Sequence, residues 1–390
     1  MFSLKVLSAC PGALGELLTF MRKRKLSWLV RMSLVGLGIF AALALLEFGL
    51  RVWGQVAMIP SMFVEDPYTS YRLKPSVRAR AVIPGVYEYE WTTNQQGLRA
   101  REAYRIPREA GTHRVLVIGD SFTFGIGVND DETFSALLQG MLEQSCPTME
   151  VEVINAGVGG WSTSHELEFL ERFGLSFEAD VVVLGFFGND LDGNSSSGIH
   201  YLEDGELFVS PVELRPSLGR LKRVTELIPA YDFLVGHSVL VNWLRTLYFK
   251  LSRPAPSDTP PKEPPGQEAV GTESGDREHQ WLLMEKLIVR MESILEAVGT
   301  RFLVLVIPND HELVTNLGSA EGNSLPVAGM MSLCTRLQLS CFDLLPVLSS
   351  GFSTENGRVY IEGDGHMTAL GHQLAAEALN EPVAQVLNCS

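Results

Sequence analysis

The stretch that decides the fold is VLVIGDSFTFGIGV, residues 115–128. Four consecutive apolar residues, Val115 to Ile118, stop at Gly119-Asp120-Ser121. A short unbroken apolar run closed by glycine reads as a strand buried on both faces, as in parallel sheets covered by helices. Outward from it the pattern recurs. Val151–Asn155, Asp180–Leu184, Arg301–Ile307 and Cys341–Leu345 are further runs, and helical stretches around Glu132–Glu143 and Ser164–Phe173 separate the first three. This alternation predicts an α/β fold with a parallel sheet between helices. Ligands in such sheets sit beyond the carboxyl ends of the strands, so the residues just past each run carry the functional information.

Four features occupy those positions. Ser121 comes directly after the first strand, where a strand-to-helix turn presents its hydroxyl beside free backbone N–H groups. It does not lie in a G-x-S-x-G elbow, because the position two after it is Thr123. Taken alone, it also fits an N-cap serine. Asn155-Ala156-Gly157-Val158-Gly159-Gly160 comes after the second run, and its glycines let backbone approach a ligand. Gly188-Asn189-Asp190 comes after the third, where an Asn amide can donate to a developing oxyanion. Near the C-terminus, EGDGHMTALGH (362–372) places Asp364 two residues before His366, close enough to hold an imidazole in one tautomer.

In this order the four blocks resemble the SGNH/GDSL hydrolase superfamily, over roughly residues 113–388. The resemblance implies a flavodoxin-like three-layer α/β/α sandwich. It makes Ser121 the nucleophile, His366 the general base and Asp364 its orienting partner. The amides of Ser121 and Gly160, with the Asn189 side chain, make the oxyanion hole. Many members space the last two catalytic residues as D-x-x-H. Here the spacing is D-x-H, as in membrane-anchored relatives and alginate-type O-acetyltransferases, and Glu362 stands as the alternative acid. The function so implied is a serine esterase acting on a glycan or lipid acyl ester, acetyl esters of envelope polysaccharide among them, with no metal or organic cofactor. An O-acyltransferase acting on an envelope glycan uses the same triad, and a non-catalytic envelope-binding protein keeps the same fold. His311, after the fourth run, either lines the substrate pocket or lies in a surface turn; His372 is read as structural.

The rest of the 390-residue chain sets location. Its formal charge of −15 divides into +5 over residues 1–31 and −20 elsewhere, and so acidic a body argues against nucleic acid as a partner. Residues 32–50 contain Glu47 as their only charge and span about 28 Å as a helix, near the thickness of a bilayer core. Arg22-Lys23-Arg24-Lys25 precedes them, which keeps the N-terminus cytoplasmic and exports the remainder of the chain, to the periplasmic side in a bacterium. The expected organisation is a basic cytoplasmic segment (1–31), a single-pass anchor (32–50), a connector with short strands (51–112) and a catalytic domain (113–390). An insertion at 191–280 interrupts that domain, as lid or as decoration, with a Pro-rich loop at 253–276. Glu47 is read as tolerated at the membrane edge, without a role. Cys334 and Cys341 are either a disulfide or two buried thiols.

Overall fold

The computed structural model describes residues 11–212, 230–252, 273–310, 312–313, 326–352 and 358–389. These divide into two compact units, 1–56 with 238–252, and 57–237 with 253–390.

The larger unit opens with two antiparallel hairpins. Strand β1 (Phe63–Asp66) pairs with β2 (Ser70–Leu73), and β3 (Arg78–Ile83) with β4 (Tyr87–Thr92). The apolar runs then form the parallel strands β5 (Thr112–Gly119), β6 (Glu150–Gly157), β7 (Val181–Phe187), β10 (Arg301–Ile307) and β11 (Ser340–Asp343). Between β7 and β10 lie helix α5 (Asp190–Ser197), a hairpin of β8 (His200–Glu203) with β9 (Glu206–Val209), and helix α6 (Tyr231–His237). The order across the sheet is β11-β10-β7-β5-β6, the flavodoxin arrangement. Strand β5 therefore has β6 on one side and β7 on the other. The crevice opened by that reversal lies at its carboxyl end, beside Ser121.

Alternating residues of the strands fill two cores. On one face Leu116, Ile118, Val182, Leu184, Val304 and Val306 pack under α4 (Thr163–Arg172), α8 (Glu273–Ala297) and α9 (Pro326–Leu337). On the other, Val115, Val117, Val181, Val183, Leu303 and Leu305 pack under α3 (Phe134–Ser145) and α11 (Ala369–Val386). Burial on both faces explains why the strands read as unbroken apolar runs.

Several local expectations differ. The last strand ends at Asp343, two residues early, because Leu345 begins helix α10 (Leu345–Phe352). Within 191–280 the β8–β9 hairpin has no counterpart in the expected pattern, and α8 starts at Glu273, inside the expected Pro-rich loop. Residues 253–272 of that loop lie outside the described residues. Cys334 and Cys341 form a disulfide, and so do Cys146 and Cys389, 243 residues apart.

The smaller unit contains helix α1 (Pro11–Trp53) and helix α7 (Val239–Ser252). Within α1, Lys25–Trp53 is long and apolar enough to cross a membrane. Contrary to expectation, the Glu47 carboxylate is not idle. It accepts from Ser238 Oγ (2.8 Å) and from the amides of Val239 (3.0 Å) and Leu240 (2.8 Å), so it caps α7.

Candidate active site

Ser121 opens a one-turn helix, α2 (Ser121–Phe124), immediately after β5. Asp120 caps that turn by accepting from the Phe122 amide at 2.8 Å. Arg99, buried, holds the other end of the turn. Its guanidinium donates to the carbonyls of Phe124, Gly125 (2.6 Å) and Val128 (2.7 Å) and pairs with Asp130 at 3.1 Å.

His366 reaches the serine from a loop 245 residues away: its Nε2 lies 2.8 Å from Ser121 Oγ. Its Nδ1 lies 2.5 Å from Asp364 Oδ1. The short D-x-H spacing works because the intervening Gly365 has φ +88°, a left-handed conformation that folds Asp364 back toward the ring and that side chains disfavour. The Ile361 amide donates to the His366 carbonyl at 2.8 Å and closes the loop. Phe122 packs on the imidazole, with ring centroids 5.0 Å apart. Glu362 does not reach the histidine; it is exposed and pairs with Arg358.

Of the other residues singled out from sequence, Asn189 stands close enough to Asp120 to lower its carboxyl's pKa. Gly159 comes alongside Ser121, where a Cβ on it would stand 3.9 Å from Ser121 Cβ, and Gly160 lies against Tyr71. His372 is buried in α11 and its Nδ1 accepts from the Phe134 amide at 3.2 Å, with its ring stacked on Phe134. Burial, assisted by the Arg99 and His366 charges, pushes its pKa down to about 3, so it is a neutral packing residue. His311 lies outside the described residues.

Behind the serine three carboxyls have no solvent exposure: Asp120, Glu166 and Asp190. Burial pushes Asp120 up to about 6, against the pull of the Phe122 amide, His366 and Asn189. Burial, then the neighbouring carboxylate charges, raises Glu166 and Asp190 well above the usual range. Both Glu166 oxygens lack a hydrogen-bond partner among the described residues, which suits a protonated acid better than an anion.

Residues that sequence reasoning missed come from segment 57–112. Phe63 and Tyr71 meet edge-on, centroids 5.0 Å apart, and the Phe63 ring would lie 3.8 Å from a Cβ on Gly159. The Tyr71 hydroxyl donates to the Gly159 carbonyl at 3.4 Å, and the Trp161 indole N–H donates to the Tyr71 carbonyl at 2.9 Å. Burial and the Asp120 charge push the Tyr71 phenol to about 12, so it remains a donor. Tyr87 lies near Asp364; burial and that charge push its phenol to about 12 too. The only sequence signal was the density of Tyr and Arg in this segment.

The Ser121–His366–Asp364 arrangement can activate a hydroxyl by general-base catalysis. The model of the GDSL-like Lipase/Acylhydrolase family matches residues 117–374. No curated protein matches the sequence. Similar solved structures include a two-domain esterase (CEX) active on acetylated mannans, at 12% identity and TM-score 0.40, covering 72% of this chain and 51% of that one. TesA is 14% identical with TM-score 0.38, covering 70% and 99%. A catalytic mutant of Axe2, an acetylxylan esterase from Geobacillus stearothermophilus, is 10% identical with TM-score 0.37, covering 71% and 95%.

Proposed function

The chain belongs to the GDSL-like lipase/acylhydrolase family, and from that premise we propose that it is a membrane-anchored serine esterase whose triad is Ser121, His366 and Asp364. The observation that carries this reading is the 2.8 Å approach of His366 Nε2 to Ser121 Oγ, with Asp364 on the far nitrogen.

In the proposed mechanism Ser121 Oγ attacks the ester carbonyl carbon while His366 Nε2 takes the hydroxyl proton. Asp364 keeps Nδ1 as the donor and stabilises the imidazolium. The amides of Ser121 and Gly160 and the Asn189 side chain hold the tetrahedral oxyanion. His366 returns its proton to the departing alkoxide, and the alcohol leaves. A water then gives its proton to His366 and attacks the acyl-enzyme, which releases the acid and restores Ser121. The substrate we assign is an acyl ester of the cell envelope, with acetylated polysaccharide as the specific reading.

Helix α1, with Arg22–Lys25 before its apolar part, supports an anchor with the N-terminus in the cytoplasm and the larger unit exported. Two disulfides fit an oxidising compartment.

The test is labelling by a fluorophosphonate together with turnover of an ester panel. Wild type is expected to label and turn over; Ser121→Ala is expected to lose labelling and at least about 10³-fold in turnover. Unchanged turnover in Ser121→Ala would remove the mechanism.

A further inference from the structure

We propose that helix α7 is a second membrane contact, lying in the headgroup–acyl boundary on the exported side with Leu244, Leu247 and Tyr248 against lipid. The inference rests on the reading of α1 as a membrane span and adds to it.

The first observation is Glu47. It stands three residues before Leu50, the last residue of the apolar stretch ahead of Arg51, about 5 Å along the helix axis. Arg51, one turn on, pairs with it at 2.7 Å, and a carboxylate within a span is costly without such partners. Here it receives the Ser238 hydroxyl and the amides of Val239 and Leu240, at 2.8–3.0 Å. These are groups at the start of a helix, where free N–H groups and the helix dipole favour negative charge. The contact ties the start of α7 to the depth of Glu47 in α1. A charge that looks misplaced in the span becomes the fastener between two helices.

The second observation is the outer face of α7. Leu244, Leu247 and Tyr248 are spaced i, i+3, i+4 and are 49%, 38% and 50% exposed. On an aqueous surface that stripe is unfavourable; Leu43, Leu46 and Phe48 of α1, to which α7 is tied through Glu47, are likewise exposed.

The third is how α7 treats its polar side chains. Asn242 Nδ2 donates to the Ser238 carbonyl (3.0 Å), Thr246 Oγ1 to the Asn242 carbonyl (3.0 Å), and Arg245 to Asn242 Oδ1 (3.1 Å). These three bonds close within the helix or its cap, which lowers the cost of bringing α7 to a medium poor in water. The chemistry that fits is therefore an acyl–headgroup interface. A protein partner at this depth would have to displace lipid from the same stripe.

The experiment uses the full-length chain with Cys10→Ser, reconstituted in phosphatidylethanolamine–phosphatidylglycerol vesicles. A fluorophore is attached in turn to Leu244→Cys, Tyr248→Cys, Phe40→Cys in the span, and Glu203→Cys in the β8–β9 hairpin. Quenching is read with 5-doxyl lipid and with aqueous iodide. Labels at 244 and 248 are expected to be quenched by doxyl lipid at least about threefold more than the label at 203, and less by iodide. Adding Glu47→Ala is expected to lower lipid quenching at 244 by about half while the label at 40 is unaffected. Iodide quenching at 244 and 248 equal to that at 203, with the label at 40 still in lipid, overturns the inference and leaves the anchor standing. Protection from both quenchers means a protein covers the stripe and overturns it likewise. A label at 40 open to iodide overturns both readings together.

Discussion

The Tyr71 hydroxyl donates to the Gly159 carbonyl, 88 residues further along the chain, and stands where a Cβ on Gly160 would come within 2.8 Å of it. Gly160 has φ +80°, so no other residue suits the position on either count. A hairpin that precedes the family's matched region thus braces the loop carrying Gly160, the proposed oxyanion donor.

Tyr71→Phe keeps the ring against Phe63 and removes only the hydroxyl. One hydrogen bond of this kind contributes about 0.5–1.5 kcal/mol, so kcat is expected to fall roughly 2- to 10-fold. KM should stay near wild type, because a loosened oxyanion loop weakens the transition state more than the bound ester. Steady-state kinetics and the rate of phosphonate labelling check this; a change in KM alone would assign Tyr71 to ordinary substrate contact.

Asp364→Asn should cut kcat by about 10²- to 10⁴-fold, since an amide cannot hold Nδ1 as the donor or balance an imidazolium. Glu362→Gln, which removes only an exposed pair with Arg358, should leave kcat within experimental error of wild type. The reverse outcome in the same assay would move the acid to position 362.

The buried acids predict an unusual pH dependence of stability. A carboxyl whose folded value lies above its unfolded one keeps a proton in the fold that the open chain has released, so stability falls as pH rises between the two values. For Asp120 that window runs from the ordinary 3.8 to about 6; for Glu166 and Asp190 it extends higher. His372 acts oppositely: with a folded value near 3 against 6.5, it costs stability as pH falls through that interval. Glu166→Gln mimics the protonated acid and isolates one contribution. Its Tm should approach wild type near pH 5 and exceed it increasingly toward pH 8. Thermal unfolding at several pH values measures the gap, and a gap constant with pH would show that Glu166 is not the titrating group.

Cys389→Ser opens a disulfide that closes most of the larger unit, linking the C-cap of α3 to the end of the chain. A loss of about 2–5 kcal/mol is expected, and less from Cys341→Ser, whose disulfide joins residues seven apart. Denaturant unfolding of both variants compares the two.

The sheet was legible from the amino acids alone because a strand buried on both faces must be apolar at every position, and that is a local property. Val115–Ile118, Asp180–Leu184 and Arg301–Ile307 all fall in the central sheet. Ser121 and Asn189 were visible as short blocks just past β5 and β7, and His366 as a block in the loop before α11. Local pattern failed for the insertion: β8 and β9 are four-residue strands with neither long apolar runs nor clean alternation.

Sequence by itself determined the α/β class, the strands of the sheet, the apolar helix and the blocks from which a site is built. Each of these is written in the spacing of neighbouring residues. Tertiary structure alone decided that Asp364 rather than Glu362 meets His366, that Tyr71 and Arg99 brace the nucleophile and its loop, that Cys146 finds Cys389, and that Glu47 caps α7. Except for Asp364, whose placement depends on the turn at Gly365, these contacts join residues from 25 to 243 positions apart. A contact across such a distance leaves no period in the sequence, because it is made only once packing has brought the two segments together.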